Sequence, residues 1–380
     1  MENLKSILFD QNKLHGGRAL NNRLVVAPLT RKSATAEGVP TPEMAHYYGA
    51  FAEGGFGMII SEGTYTDDLF SQSDLNQPGI TNEAQMLGWK NVTEKVHRYD
   101  TIFINQLMHA GALGQLREEN IAPSAVQPIG ERSTELGGST GPYPLPQAMN
   151  YPDFEAVKNG YVRAATLSRE AGFDGIEIHA ANGYLFDQFV TEHTNIRTDH
   201  YGGNVRNRLR FLMEVYQAIR DALPADFIVG IRLSESKVND LKYRWPGGSK
   251  TATEIFEVLS EIQPHYFHIA SEGGSWKRES LYADGLSSTG IAKKLTQIPI
   301  IANGGLHDIE LAESLIASDQ ADLISIGRAA IANPDWPNRI RKGQDTIPFF
   351  KDLIKPSLTL KHTERVLNQY MQQTAPGLSA

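Results

Sequence analysis

At 380 residues the chain is long for an ordinary domain but usual for a single α/β barrel. Hydrophobic residues make up 41% and the net charge is −8, so a large core is possible and no broad basic field exists to hold nucleic acid or anionic lipid. The absence of cysteine removes disulfides, iron–sulfur clusters, thiolate metal sites and a cysteine nucleophile together, and no metal is expected.

The first residues, Met1 to Lys5, carry no basic segment followed by an apolar run, and no stretch reaches the length of a membrane span. A cytoplasmic protein with no membrane partner is the expectation. Residues 6–22, with Asn12, Gly16-Gly17 and Asn21-Asn22, read as a small hairpin able to plug one end of a barrel. Strands then alternate with helical patterns. Apolar runs predict strands at 23–28, 57–62, 101–106, 175–179, 227–232, 266–270, 299–303 and 321–326. Helical spacing falls between them at 43–53, 83–98, 154–172, 205–223, 251–262, 288–296, 308–318 and 335–342. The economical architecture is one α/β (β/α)8 TIM barrel over 1–355. A Gly- and Pro-rich excursion at about 107–153 breaks the rhythm as an inserted lid, and 356–380 is a tail without clear periodicity.

Chemistry gathers at strand ends, where a barrel places its active site. The fourth strand ends in His179, followed closely by Asn182 and Tyr184. This trio can hold a substrate oxygen and deliver a proton, although a half-buried His, an Asn-Gly turn and a core Tyr would look the same. Asn303-Gly304-Gly305 and Gly327-Arg328 end the seventh and eighth strands, where backbone N–H groups and a guanidinium can cradle a phosphate. Gln106 and Arg232 close otherwise apolar strands and should point into the mouth. For Arg232 the alternatives are an electron-rich ligand and an internal salt bridge. No G-x-G-x-x-G fingerprint follows a first strand and no Walker loop is present.

Ala27 to Arg31, Ser61 to Thr64, Gln106 to Gly111, Ala122 to Ala125, His179 to Phe189, Asn195 to Arg208, Asn303 to Gly305 and Gly327-Arg328 follow one another in an order and spacing that resemble the old yellow enzyme family of flavin mononucleotide (FMN) ene-reductases. The resemblance spans nearly the whole chain. It implies bound FMN, with NADPH or NADH as reductant and an activated alkene (enone, enal or nitro compound) as small-molecule substrate. Pro28, Leu29, Thr30 and Gly63 would border the flavin ring, Gln106 would read its pyrimidine part, and Arg232 would stabilise its reduced form. Gly304, Gly305, Gly327 and Arg328 would hold the phosphate. His179 and Asn182 would bind the alkene's activating oxygen, and Tyr184 would give the proton. Asn195 to Arg208 would be structural. One branch of the family has cysteine at the Thr30 position and histidine at the Asn182 position; this chain is similar to the other. The alternatives are a phosphate-binding barrel lyase or isomerase without flavin, and a flavin-holding protein without turnover. The loop 271–285 matches no part of the pattern and is expected to shape the pocket. A homo-oligomer stays open.

Overall fold

A computed structural model describes residues 6–374, so the readings at Met1 to Lys5 and over 375–380 lie outside the described residues. Eight parallel strands form a closed ring: β1 (Leu24–Val26), β2 (Met58–Ile60), β3 (Ile102–Met108), β4 (Gly175–Asn182), β5 (Ile228–Lys237), β6 (Phe267–Ala270), β7 (Ile300–Asn303) and β8 (Leu323–Ile326). Each strand pairs with the next, and β8 returns to β1 with Ile326 opposite Val26. Eight helices pack outside: α1 (Pro42–Glu53), α2 (Glu83–Val96), α3 (Tyr151–Glu170), α4 (Val205–Ala222), α5 (Ser249–Leu259), α6 (Ser288–Thr296), α7 (Ile309–Ala317) and α8 (Trp336–Arg341). This is the TIM barrel that the alternating apolar runs predict.

The helices start where side chains can take up the free N–H groups of a first turn. Asn82, Asn204, Ser287 and Asp308 each accept a backbone N–H at the head of α2, α4, α6 and α7. Asn150 and Asp153 form a reciprocal capping box at α3.

Successive strand residues point to opposite faces, so the barrel interior is read every second residue. On β3 the inward series is Ile102, Ile104, Gln106 and Met108, apolar at the bottom and polar or adaptable toward the top. Ile102 and Ile104 belong to an apolar plug with Val25, Met58, Ile60, Ile228, Tyr266, Ile301 and Leu323. Leu14 and Leu20 complete that plug from the N-terminal segment, where Asn12–Lys13 and Ala19–Leu20 pair antiparallel. One end of the barrel is therefore closed by hydrocarbon.

The excursion at 107–153 sits beside the opposite end. Its first two residues continue β3, and Ile121–Ala122 pairs with Gln147–Ala148. The Arg197 Nη1 donates to the carbonyls of Pro123 and Met149, at 2.7 and 2.9 Å, and its guanidinium also grips Asp199. That is the work of the Asn195 to Arg208 segment: it ties the loop after β4 to the excursion.

The tail differs from the sequence expectation. Leu360–Thr374 is a helix whose first turn alone is buried, through Leu360, His362 and Thr363. Its face toward solvent is rich in Lys, Glu, Asn and Gln, so only a short apolar stretch marks it. The buried Arg31 holds that first turn by hydrogen-bonding Thr363.

Gly175 opens β4 against β5. A Cβ there would stand 2.3 Å from the Ile228 carbonyl oxygen, which belongs to the sheet backbone and cannot swing aside. Gly175→Ala should cost about 1–3 kcal/mol, read as a lower urea midpoint at unchanged slope; an unaltered midpoint would mean that this seam is loosely packed.

Candidate active site

At the carboxyl ends of the strands lies a cavity of about 360 Å³. Its wall contains Pro28, Leu29, Thr30, Gly63, Gln106, His179, Asn182, Tyr184, Arg232, Gly304, Gly305, Gly327 and Arg328. Every residue singled out from the sequence thus meets in one space, although they come from positions up to 300 apart in the chain. Ser271, Glu272 and Gly274 also line it, from the loop 271–285 that was expected to shape the pocket, while Met108 and the apolar Ile354 and Leu358 that precede the last helix were not singled out from the sequence. The every-second-residue rule applied one step beyond Gln106 would have found Met108. Glu272 follows β6 directly, and its position at a strand end was the available signal.

Beneath the cavity the barrel interior carries a polar layer. The Gln106 Nε2 donates to Glu177 Oε1 at 2.8 Å, and Glu177 Oε2 meets His268 Nδ1 at 2.9 Å. The other ring nitrogen of His268 lies 2.9 Å from Ser325 Oγ, which also accepts from Asn303 Nδ2 at 3.0 Å. Burial alone would raise the Glu177 carboxyl; His268, Arg232 and the hydrogen bonds outweigh it and hold the group below its ordinary value. With Nε2 committed to Glu177, the oxygen of the Gln106 amide is directed away from that carboxylate.

Arg232 is 5% exposed and forms no ion pair, and its Nε and Nη1 have no hydrogen-bond partner among the described residues. An internal salt bridge is therefore not what holds it. Unpaired guanidinium N–H groups in a buried wall are costly, and an electron-rich ligand atom in the cavity would satisfy them.

The glycines leave room that other residues would fill. A Cβ on Gly304 would stand 2.6 Å from both Ser271 Cβ and the Trp276 nitrogen, and its φ of +119° is open only to glycine in practice. At Gly63 a Cβ would meet Met108 Sδ at 2.5 Å. Arg328 is exposed and leans over Gly274, where a Cβ would lie 3.0 Å from its Nη1. Floor, rim and cationic corner together suit a flat ring with a phosphorylated chain, and the donors offered suit FMN.

His179, Asn182 and Tyr184 stand along the same wall. The His179 Nδ1 accepts the Ala181 N–H at 3.3 Å, which leaves the proton of the neutral ring on Nε2. Burial first, then the charges of Arg232 and His268, hold His179 well below the ordinary histidine value, so the ring is neutral. Its centroid is 5.1 Å from that of Tyr184, at 66°. Burial, followed by the nearby Asp74 and Glu272 carboxylates, pushes the Tyr184 phenol well above its ordinary value and keeps it protonated. Asn182 ends β4 with φ at +63°, a left-handed conformation. Its Nδ2 donates to Glu272 Oε2 at 2.7 Å, and its buried Oδ1 has no partner among the described residues.

No helix among the described residues is long and apolar enough to cross a membrane, and no group of three or more His, Cys, Asp or Glu side chains among them could hold a metal ion.

The family model described as the NADH:flavin oxidoreductase / NADH oxidase family matches residues 9–346. The chain is 36% identical over 345 residues to 12-oxophytodienoate reductase 7 of Oryza sativa subsp. japonica, covering 85% of this chain and 84% of that protein. It is 34% identical over 345 residues to a probable flavin mononucleotide-dependent alkene reductase of Leishmania infantum, covering 87% and 89%. Among solved structures, the old yellow enzyme homologue from Zymomonas mobilis superposes with a TM-score of 0.79 at 30% identity, over 92% of this chain and 95% of that one. Morphinone reductase in complex with tetrahydroNAD superposes with a TM-score of 0.78 at 31% identity, over 90% and 92%. With the barrel, the cavity and the family model in agreement, the chain belongs to the NADH:flavin oxidoreductase / NADH oxidase family, the old yellow enzymes, and is an NAD(P)H-dependent FMN oxidoreductase.

Proposed function

We propose that this oxidoreductase reduces the C=C bond of activated alkenes, meaning enones, enals and nitroalkenes, with Tyr184 as the proton donor. The observation that carries the reading is the placement of a neutral His179, the Asn182 amide and a protonated Tyr184 along one wall of the cavity that also contains the flavin-binding candidates. The chemistry that FMN brings to such a site is hydride transfer, in from NAD(P)H and out to the alkene carbon β to the activating group.

The chain's own residues account for the rest. Pro28, Leu29, Thr30 and Gly63 would border the ring, with the Thr30 hydroxyl offering a hydrogen bond to its edge. The Gln106 amide, held by Glu177, would face the pyrimidine part, and the unpaired N–H groups of Arg232 would meet the charge of the reduced ring. Gly304, Gly305, Gly327 and Arg328 would take the phosphate. His179 Nε2–H and the Asn182 Nδ2–H2 group would donate to the carbonyl or nitro oxygen. Donors fixed before reaction favour the enolate-like charge that develops there, which is an electrostatic gain made in the transition state. Tyr184 would then transfer its phenolic proton to the α-carbon, so that the two hydrogens come from different sources. A protein that only stored flavin would have no use for a proton donor at this position.

Tyr184→Phe should retain FMN and its reduction by NADPH while slowing reoxidation by 2-cyclohexenone on the order of a hundredfold or more, the usual weight of a general acid. Stopped-flow traces of the two half-reactions check this, and enone reoxidation at the wild-type rate would remove Tyr184 from the mechanism. Arg328→Ala should release FMN on dialysis, with flavin per protein falling severalfold; retention equal to wild type would assign the phosphate elsewhere. Because the folded His179 is held below its ordinary value, lowering the pH through 6.5 should leave the ring neutral, and enone binding should show no histidine inflection there. Binding that weakens around that pH would mean that His179 titrates normally.

A further inference from the structure

The residue next to Asn182 that the sequence pattern did not explain is Glu272, whose carboxylate lies in the cavity wall. Its position is fixed by an elaborate local fold. The loop after β6 winds around a second carboxylate, Glu279, which is 4% exposed. Glu279 Oε2 accepts from Ser236 Oγ at 2.6 Å and from the Gly273 N–H at 3.0 Å, while Oε1 accepts from Arg278 Nη2 at 2.8 Å and from the Ser275 N–H at 3.3 Å. Ser236, at the end of β5, also takes the Glu272 N–H at 3.2 Å. Gly273 has no space for a side chain, since a Cβ would meet Arg278 Nη2 at 2.4 Å and Glu279 Oε1 at 2.6 Å. A loop tied in this way carries Glu272 to one place.

At that place Glu272 Oε2 accepts from Asn182 Nδ2 at 2.7 Å. A primary amide left to itself can turn over and present either its oxygen or its nitrogen to a ligand. Beside a carboxylate only the nitrogen face is favourable, because the amide oxygen would be repelled. One of the two Nδ2–H groups is spent on Glu272 and the other remains for a ligand oxygen. The unpartnered Asn182 Oδ1 is the counterpart of that choice, a buried acceptor left without a donor so that the donor side can face correctly.

We propose that Glu272 is a positioning residue for substrate recognition: its carboxylate locks the Asn182 amide in the orientation that donates Nδ2–H to the activating oxygen of the alkene. The inference rests on the ene-reductase reading above and adds to it a residue that acts through Asn182 without touching the substrate. It also gives the loop 271–285 its function, since the Glu279 scaffold holds the residue that holds the amide.

The test is a double-mutant cycle on the FMN-loaded full-length protein, with Glu272→Ala, Glu272→Gln, Asn182→Gly and Asn182→Gly/Glu272→Ala. Glycine is chosen at 182 because it accepts the left-handed backbone while removing the amide. Cyclohexanone, which carries the oxygen but no bond to reduce, is titrated against the oxidised flavin absorbance, and reoxidation by 2-cyclohexenone is followed in parallel. Glu272→Ala should weaken cyclohexanone roughly three- to tenfold, the weight of one hydrogen bond. Glu272→Gln, whose amide oxygen can accept the same N–H, should stay within about twofold of wild type. In the Asn182→Gly background, Glu272→Ala should add nothing. Additive losses, an unchanged Glu272→Ala, or a Glu272→Gln as weak as Glu272→Ala would each overturn the role of Glu272 alone. A wild-type reduced flavin that 2-cyclohexenone does not reoxidise would overturn the parent reading and this inference with it.

Discussion

The buried contact between Glu177 and its neighbours is the constraint on which the site depends. A carboxylate inside a barrel is tolerable only if its oxygens are answered, and removing one partner of such a group typically costs about 3–5 kcal/mol. Here His268 answers one oxygen and Gln106 the other, from strands on different sides of the ring. Because each partner sits in a strand, satisfying Glu177 also fixes where Gln106 turns its remaining face. Arg232, one strand further on, gains the same negative charge from a distance and spends none of it on a direct ion pair. Its free N–H groups are left for whatever enters from above. The polar layer thus converts a folding requirement into an arrangement of donors at the base of the cavity.

Above that layer the division of labour follows the architecture. Strands supply the rigid members, Gln106, His179, Asn182 and Arg232, while loops supply the members that need close backbone approach, Gly304, Gly305 and Gly327. Placing polar heads on strands limits their freedom to side-chain rotation. The neighbours then remove part of that: the Ala181 N–H fixes which nitrogen of His179 carries the proton, and Glu272 fixes which end of the Asn182 amide faces outward. Below, the Leu14 and Leu20 plug excludes water from the other end of the barrel, so the cavity opens in one direction.

The repeating units were legible because hydrophobic periodicity reports burial, and a parallel barrel buries its strands on both faces. Runs such as Phe227 to Ile231 could be little else. The polar layer was harder to see, although the signal exists: Glu177 stands two residues before His179, and His268 two after Tyr266, so strand alternation turns both inward. Reading a charged residue in an apolar run as inward-facing requires knowing its partner, and Glu177 and His268 are 91 positions apart. The loop that carries Glu272 could be placed at the pocket, but the role of Glu272 could not be read for the same reason, since it lies in a contact with Asn182 across 90 positions. The final helix escaped because one buried turn and a polar remainder give too little contrast for a periodic pattern.

The left-handed backbone at Asn182 reaches further than the geometry of one site. Among residues with a side chain, asparagine, aspartate and histidine enter that conformation most readily, and β-branched residues scarcely at all. The set of amino acids that can stand at this position is therefore narrowed by the turn that ends β4 before any substrate is considered. From that set, only those with an N–H to give can serve an oxygen-binding role. Asparagine and histidine are two of the very few answers that satisfy both filters. Diversification of such a site would have to proceed through its neighbours, leaving the polar residue at the end of the strand almost unchanged in kind.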